Sequence, residues 1–282
     1  MSLLLALITA MFWATGDIFF GLTARKIGAK LSFFLILSTA SLLMFLPGVY
    51  LFPMRDIDPR ILIVTLLISV VHFIGTFIYI ISLEKGNAII NGVIAGSFSI
   101  VTIIVSVLLF NETVMPIQIF AILLTIIGII FSAFNFQKIA MKNIFSKGSF
   151  FALVTMVLWG AYFSLVKIPT QLIGWYWPAF MIRVLVILFI PLLISQKNLS
   201  MSRFATKKLF VFILAAAVLS GFGDVIYNLG ISHSDISYFS PIASASPIFY
   251  AVIASRVYRD KVARIQKLGI IMAIIGIIMI NF

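Results

Sequence analysis

The sequence predicts an all-α integral membrane protein: ten transmembrane helices, arranged as a 5+5 inverted repeat. Three observations predict it. Of the 282 residues, 63% are hydrophobic and only 10% charged, whereas a soluble domain is roughly half apolar and about a quarter charged. The apolar residues fall in runs of about 20, the length that crosses a hydrocarbon core roughly 30 Å thick. The second half also repeats the first. Glu112, Gln118 and Gly128 recur as Asp260, Gln266 and Gly276 at a shift of 148, as do Gly75 with Gly223 and Tyr79 with Tyr227; near the start of each half the shift is 146, pairing Trp13 with Trp159. Five spans per half is an odd number, so the halves must lie in opposite orientations.

Spans are expected near residues 2–24, 31–53, 60–83, 86–110 and 115–135 in a first unit (1–137), and near 148–168, 175–195, 207–230, 234–257 and 265–281 in a second (148–282), with a basic linker at 138–147. Every backbone polar group in lipid needs a partner, so the spans are helices; the alternation of barrel strands is absent. The tightest hairpins fall at Glu84-Lys85 and His233-Ser234. The first run has no basic segment before it and is longer than a signal-peptide core, so it reads as a retained span. There are no cysteines, which excludes disulfides and thiolate metal sites. The net charge of +12 does not point to nucleic acid, because the Lys and Arg lie in short loops. Sixteen follow odd spans; only Arg55, Arg60 and Lys167 follow even ones, and Arg183 within a span completes the 20. That bias puts the odd loops in the cytoplasm and both termini outside a multi-pass protein of the cell membrane.

Several motifs occur twice and in order: Trp13-Ala14 and Trp159-Gly160 early in each half, then the acidic turns Asn111-Glu112-Thr113 and Arg259-Asp260-Lys261. With them come Ala245-Ser246-Pro247 and the closing Gln266-Lys267-Leu268-Gly269 with Gly276. Over essentially its whole length the chain resembles the EamA-type branch of the drug/metabolite transporter superfamily. It departs in having Ser99 where the second half has Pro247, and Asp260 where Glu is commoner. The resemblance implies ten helices around a cavity lined mainly by spans 1, 3, 4, 6, 8 and 9. It also implies movement of small organic solutes, without fixing which; the superfamily's range runs from amino acids to nucleotide sugars and cationic drugs.

Three charges lie inside spans. Each costs about 2.5–3.5 kcal/mol near the bilayer centre, so Asp17, Arg183 and Asp224 facing lipid would cost on the order of 8–10 kcal/mol together. They must face a cavity or one another. At about 1.5 Å rise per residue, Arg183 and Asp224 lie about 12 and 9 Å below the outer ends of spans 7 and 8, and Asp17 about 22 Å below that of span 1. The shared depth predicts an Arg183–Asp224 ion pair, either a clamp between helices or a substrate contact. Asp17 is then the unpaired carboxylate. It reads as a cation or proton site, or as a carboxyl that is protonated or bonded to Thr9, Thr15 or a neighbouring helix. Trp13, at i−4, shares its face, and an aromatic beside a carboxylate suits an organic cation.

Span 3 carries His72, Thr76 and Tyr79 at i, i+4, i+7, and span 8 carries Asp224, Tyr227 and Asn228 at i, i+3, i+4. These spans are repeat partners, Thr76 matching Asp224, and two related polar stripes facing one axis form a candidate substrate-binding site. The alternative for His72 is a packing role. No second ligand lies at metal spacing, so no metal and no cofactor are expected. Spans 4 and 9 hold small residues (Gly92, Ala95, Gly96, Ser99; Ser237, Ser240, Ser244, Pro247), which either simply pack closely or form a moving pair; Asn91 and Tyr238 are the positions there expected to reach a substrate. Trp159, Tyr162 and Phe163 of span 6 continue the aromatic lining opposite Trp13. Trp175 and Trp177 read as interface markers, and Glu112 and Asp260 as helix-terminal caps.

A secondary carrier in which the two halves rock around a mid-membrane site is the leading function, acting on an amino acid, amine or related compound as monomer or homodimer. No phosphate-binding loop is present for an ATP-driven pump. The rivals are an intramembrane enzyme, for which no nucleophile or metal motif is found, and a channel-like facilitator, for which the polar groups are too few to line a continuous pore.

Overall fold

The computed structural model describes residues 1–52, 58–85, 88–133, 146–189, 206–257 and 263–280, and among these there is no strand. The first half contains α1 (Ser2–Ile27), α2 (Ala29–Leu51), α3 (Pro59–Lys85), α4 (Ala88–Gly96), α5 (Ser99–Phe110) and α6 (Pro116–Ala133). The second contains α7 (Lys147–Leu165), α8 (Lys167–Ile173), α9 (Tyr176–Val184) continued by a 3₁₀ turn (Leu185–Phe189), α10 (Lys207–Ser232), α11 (Ile236–Ala243), α12 (Ser246–Val257) and α13 (Arg264–Met279). Each of the ten expected stretches holds helix. Five are long and apolar enough to cross a membrane: Ser2–Ile27, Ala29–Leu51, Pro59–Ser82, Lys147–Ile173 and Lys207–Ser232. Within the described residues the others hold shorter helices, and spans 4 and 9 are each broken by a turn, which the hydropathy runs did not reveal. Most of the linker 138–147, and Asp260 with its turn, lie outside the described residues.

The repeat is visible in backbone detail. Gly28 joins α1 to α2 at φ +85°, and Gly174, its partner at a shift of 146, joins α8 to α9 at φ +83°. Glycine alone takes this conformation without a Cβ penalty, and it lets the chain reverse in very few residues. Spans 4 and 9 break within one residue of equivalent points, at Ser97-Phe98 and Ser244-Ala245, where tight turns interrupt the helix. The Pro247 that marks the second break is absent from the first, so proline is not its cause there. The repeated glutamine also has a definite task. Gln118 Oε1 accepts from Met115 N at 3.1 Å, and Gln266 Oε1 from Ala263 N at 2.8 Å, each closing the first turn of the last helix of its half.

The tightest seams each join one helix from each half: α6 along α13, α1 along α10, and α3 along α7. At the first, the repeated glycines bring backbones into contact. A Cβ on Gly128 would lie 2.4 Å from Ala273 N, and one on Gly276 2.6 Å from Ala121 O. Small residues permit such approach where lipid offers no hydrophobic driving force between helices. Packing within each half is slight beside these seams, so the halves are interleaved. Further ties cross between them: Thr102 donates to Ser240 at 2.7 Å, linking α5 to α11 beside the two breaks.

Glu112 makes another such tie. Its oxygens accept from Ile236 N at 2.9 Å and Ser237 N at 2.8 Å, and Lys167 Nζ donates to it at 2.9 Å. The carboxylate thus caps a helix, as expected, but it is α11 of the other half, whose first amides have no carbonyl partner of their own. Burial pushes the Glu112 carboxyl up, and the Ser237 and Ile236 amides with Lys167 outweigh it, leaving it below its ordinary value of 4.5. A depressed carboxyl stabilises the fold fully above that ordinary value and loses its contribution as pH falls through its own lower one. Glu112→Gln is therefore expected to cost about 2 kcal/mol at neutral pH, with the difference from wild type shrinking below pH 4.5. Thermal unfolding of both proteins across pH checks this; a gap that stays constant would mean the carboxylate charge is not its source.

Candidate functional site

Where α1 meets α10, Trp13 Nε1 donates to Asp224 Oδ1 at 2.8 Å, and Arg183 Nη2 donates to Asp224 Oδ2 at 2.8 Å. The predicted ion pair is formed, and it includes a third member that charge depth alone could not supply. Arg183 is spent on local acceptors: Nη2 also donates to Ser220 O at 2.8 Å, and Nη1 to Ala179 O one turn back on α9. Arg183 is 4% exposed and Asp224 8%. The flanking glycines make room for the cluster. A Cβ on Gly223 would stand 2.6 Å from Trp13 Cδ1, and one on Gly221 3.7 Å from Arg183 Nε.

The repeat builds the same dock a second time where α3 meets α7. Trp159 Nε1 donates to Thr76 Oγ1 at 3.1 Å, and a Cβ on Gly75 would stand 3.0 Å from Trp159 Cδ1. Trp13 and Trp159, Gly223 and Gly75, Asp224 and Thr76 are all repeat partners, so one geometry serves both seams. The two docks differ in charge. Thr76 replaces Asp224, and Leu37, packed in an apolar cluster on α2, stands at the position of Arg183.

Asp17 is the other asymmetry. It is exposed, while its neighbours Gly16 and Ile18 are buried, and among the described residues it makes no hydrogen bond or ion pair. Thr9 and Thr15 donate to Leu5 O and Met11 O, so neither satisfies it. At about 100° per residue, Asp17 lies about 40° round α1 from Trp13, whereas the exposed Leu4 and Met11 lie about 160–180° from Trp13 on the outer side. Asp17 therefore opens to the interior. Asp224 and Tyr79 are within Coulombic range of it, as Tyr250 is of Tyr79. Its repeat partner Phe163 is 5% exposed and packs on Trp13 at 5.1 Å. Where one half has an open carboxylate, the other has a core ring.

Rings form the wall between the docks. Trp13 stacks on Tyr227 at 5.5 Å and meets Phe98 edge-on at 6.2 Å; Trp159 meets Tyr79 at 5.0 Å and His72 at 6.1 Å. Phe98 and Tyr250 were not singled out from sequence. Phe98 sits in the break between α4 and α5, which its apolar run does not reveal.

Several expected contacts are instead enclosed. Tyr227 is 0% exposed and donates to Phe163 O at 3.1 Å. Asn228 donates to Trp175 O at 3.1 Å, and Asn91, also 0% exposed, donates to Ser82 O at 2.5 Å. Both amides tie helices together, which removes them from substrate reach in this conformation. Tyr162 is fully buried too, its ring 4.5 Å from His72 and its hydroxyl without a hydrogen-bond partner among the described residues; His72 approaches Thr76 at 3.5 Å. Tyr238 lies away from the docks in a cleft with Met1, Ser2, Gln118 and Asp235. Trp177 is buried and donates to Phe52 O at 2.7 Å, and Trp175 packs on the same Phe52. These two tryptophans join α9 to the end of α2.

The sequence model of the EamA-like transporter family matches residues 1–134 and again 146–282. No curated protein matches the sequence. A solved structure, titled only as the crystal structure of a protein, superposes with a TM-score of 0.78 at 14% identity, covering 99% of this chain and 95% of that one. At that identity the likeness shows the fold.

Proposed function

The chain belongs to the EamA-like transporter family, and on that premise we propose a secondary transporter that moves a small organic metabolite across the cell membrane by alternating access. The metabolite is an amino acid, amine or related compound. Ten spans, both termini outside and one binding site between the two tryptophan docks complete the reading. The observation that carries it is Asp17, an open carboxylate facing inward among rings and close to a buried ion pair. An intramembrane charge is expensive, and a functional site is its default explanation.

In this reading the seams, rather than the two halves, are the moving bodies. α1 travels with α10 and α3 with α7, each seam held by its tryptophan dock, and the paired breaks in spans 4 and 9 are the hinges. Asp224 and Arg183 then act on substrate through Trp13, whose indole they hold in the cavity wall.

The test is a thermal-shift screen of purified protein against metabolites. A ligand at 100 times its Kd raises stability by about 2.7 kcal/mol, and Asp17→Asn is expected to abolish the shift while leaving the unliganded Tm near wild type. Equal shifts in both proteins would remove Asp17 from the site. Orientation is read independently, because the chain has no cysteines: Ser2→Cys should react with a membrane-impermeant thiol reagent on intact cells, and Lys85→Cys should not.

A further inference from the structure

We infer that the Asp17 cavity selects its solute by a single positive charge: the ligand is an organic monocation, an ammonium on an apolar or aromatic body, and not the zwitterion or anion of the same shape. The inference deepens the transport reading at the same site and rests on it for the solute's passage, though not for its binding. It follows from accounting for the interior charges among the described residues. Asp224 has one oxygen on Trp13 and the other on Arg183. Arg183 has its remaining contacts on Ala179 O and Ser220 O. The pair is neutral and nearly fully buried, with the guanidinium held by Asp224, Ala179 O and Ser220 O, so the arginine that sequence alone left available to a carboxylate is already taken. Breaking it away would leave Asp224 buried and unpaired, which is strongly unfavourable.

What remains inside the helices is Asp17, exposed and unpaired among the described residues. A carboxylate on the solute would find no cation here. The other described Lys and Arg stand at or near helix ends, and Lys167 among them is held by Glu112. An ammonium would find a carboxylate with Trp13 about one helical turn away on the same face, and Tyr79 within Coulombic range. Aromatic faces attract cations and do so more strongly when water is excluded.

Three probes with one phenyl skeleton separate the charge classes: 2-phenylethylammonium, phenylalanine and 3-phenylpropionate. Binding is measured at neutral pH on the purified full chain in nanodiscs, for wild type, Asp17→Asn and Asp17→Glu. The ammonium is expected to bind about tenfold or more tightly than either relative. Asp17→Asn should lose that binding by a similar factor, and Asp17→Glu should keep it. Asp17 holds no structural bond among the described residues, so an unchanged unliganded Tm in Asp17→Asn confirms an intact fold. Equal or tighter binding of phenylalanine or 3-phenylpropionate overturns the inference, as does ammonium binding indifferent to Asp17→Asn, or no ammonium binding at millimolar concentration. Proteoliposome counterflow separates this failure from failure of the transport reading. Ammonium binding without saturable counterflow upholds the charge selection and removes the carrier. Counterflow of phenylalanine without the ammonium keeps the carrier and overturns the charge selection.

Discussion

Arg183→Ala is expected to destabilise the protein by about 3–5 kcal/mol, the cost of leaving one member of a buried ion pair without its partner. Asp224 would keep only Trp13 as a hydrogen-bond donor, at 8% exposure. The carbonyls of Ala179 and Ser220 would each lose a charged donor. The loss should be felt across α1, α9 and α10 together, because the guanidinium joins all three through one carboxylate. Asp224→Asn in the Arg183→Ala background should recover much of the loss, since an amide can still accept from Trp13 Nε1 and carries no charge to strand. Unfolding of the two single variants and the double variant, analysed as a cycle, checks the pairing. Additive effects would mean that the two side chains do not depend on each other. Tryptophan emission gives a second reading: freeing Trp13 from Asp224 should shift its spectrum in Asp224→Ala, with Trp175 and Trp177 replaced by Phe to reduce background.

Gly128→Ala is expected to cost about 3 kcal/mol, the top of the usual range for overpacking. The new methyl would lie 2.4 Å from Ala273 N, 2.7 Å from Gly269 O and 2.8 Å from Ala273 Cα, all backbone atoms of α13. Backbone cannot rotate aside, so the two helices must separate along the seam. Gly276→Ala should behave alike, its methyl meeting Thr125 Oγ1, Ala121 O and Thr125 N at 2.3, 2.6 and 2.7 Å. Gly75→Ala is the control. Its closest contacts are side-chain atoms, Trp159 Cδ1 at 3.0 Å and Leu158 Cβ at 3.1 Å, which yield by small shifts. Comparable loss of stability in all three variants would show that the α6–α13 seam is not specially tight.

The sequence went furthest where the physics is one-dimensional. Hydropathy length placed helix in every expected stretch, and the shifts of 146 and 148 identified the glycines and tryptophans that later proved to be matched contacts. Depth along a helix is arithmetic on residue number, so the Arg183–Asp224 pair was legible before any coordinates. The breaks at Ser97-Phe98 and Ser244-Ala245 were not, because an apolar run hides a turn satisfied by its own backbone bonds. The roles of Asn91 and Asn228 were illegible for a related reason. A buried amide has the same sequence signature whether it awaits a solute or ties two helices.

By itself the sequence determined the class of molecule, its membrane solvent, the duplication and the family. All of these follow from composition, run length and residue spacing, which do not depend on how helices meet. Only the tertiary structure decided which interior charges are satisfied. That depends on side chains finding partners 37 to 211 residues away: Trp13 and Arg183 converge on the Asp224 carboxylate, Arg183 also donates to Ser220 O, and Asp17 stays open. A charge in a helix is costly wherever it lies, and whether that cost is met by a protein partner or left for a ligand is a property of the fold.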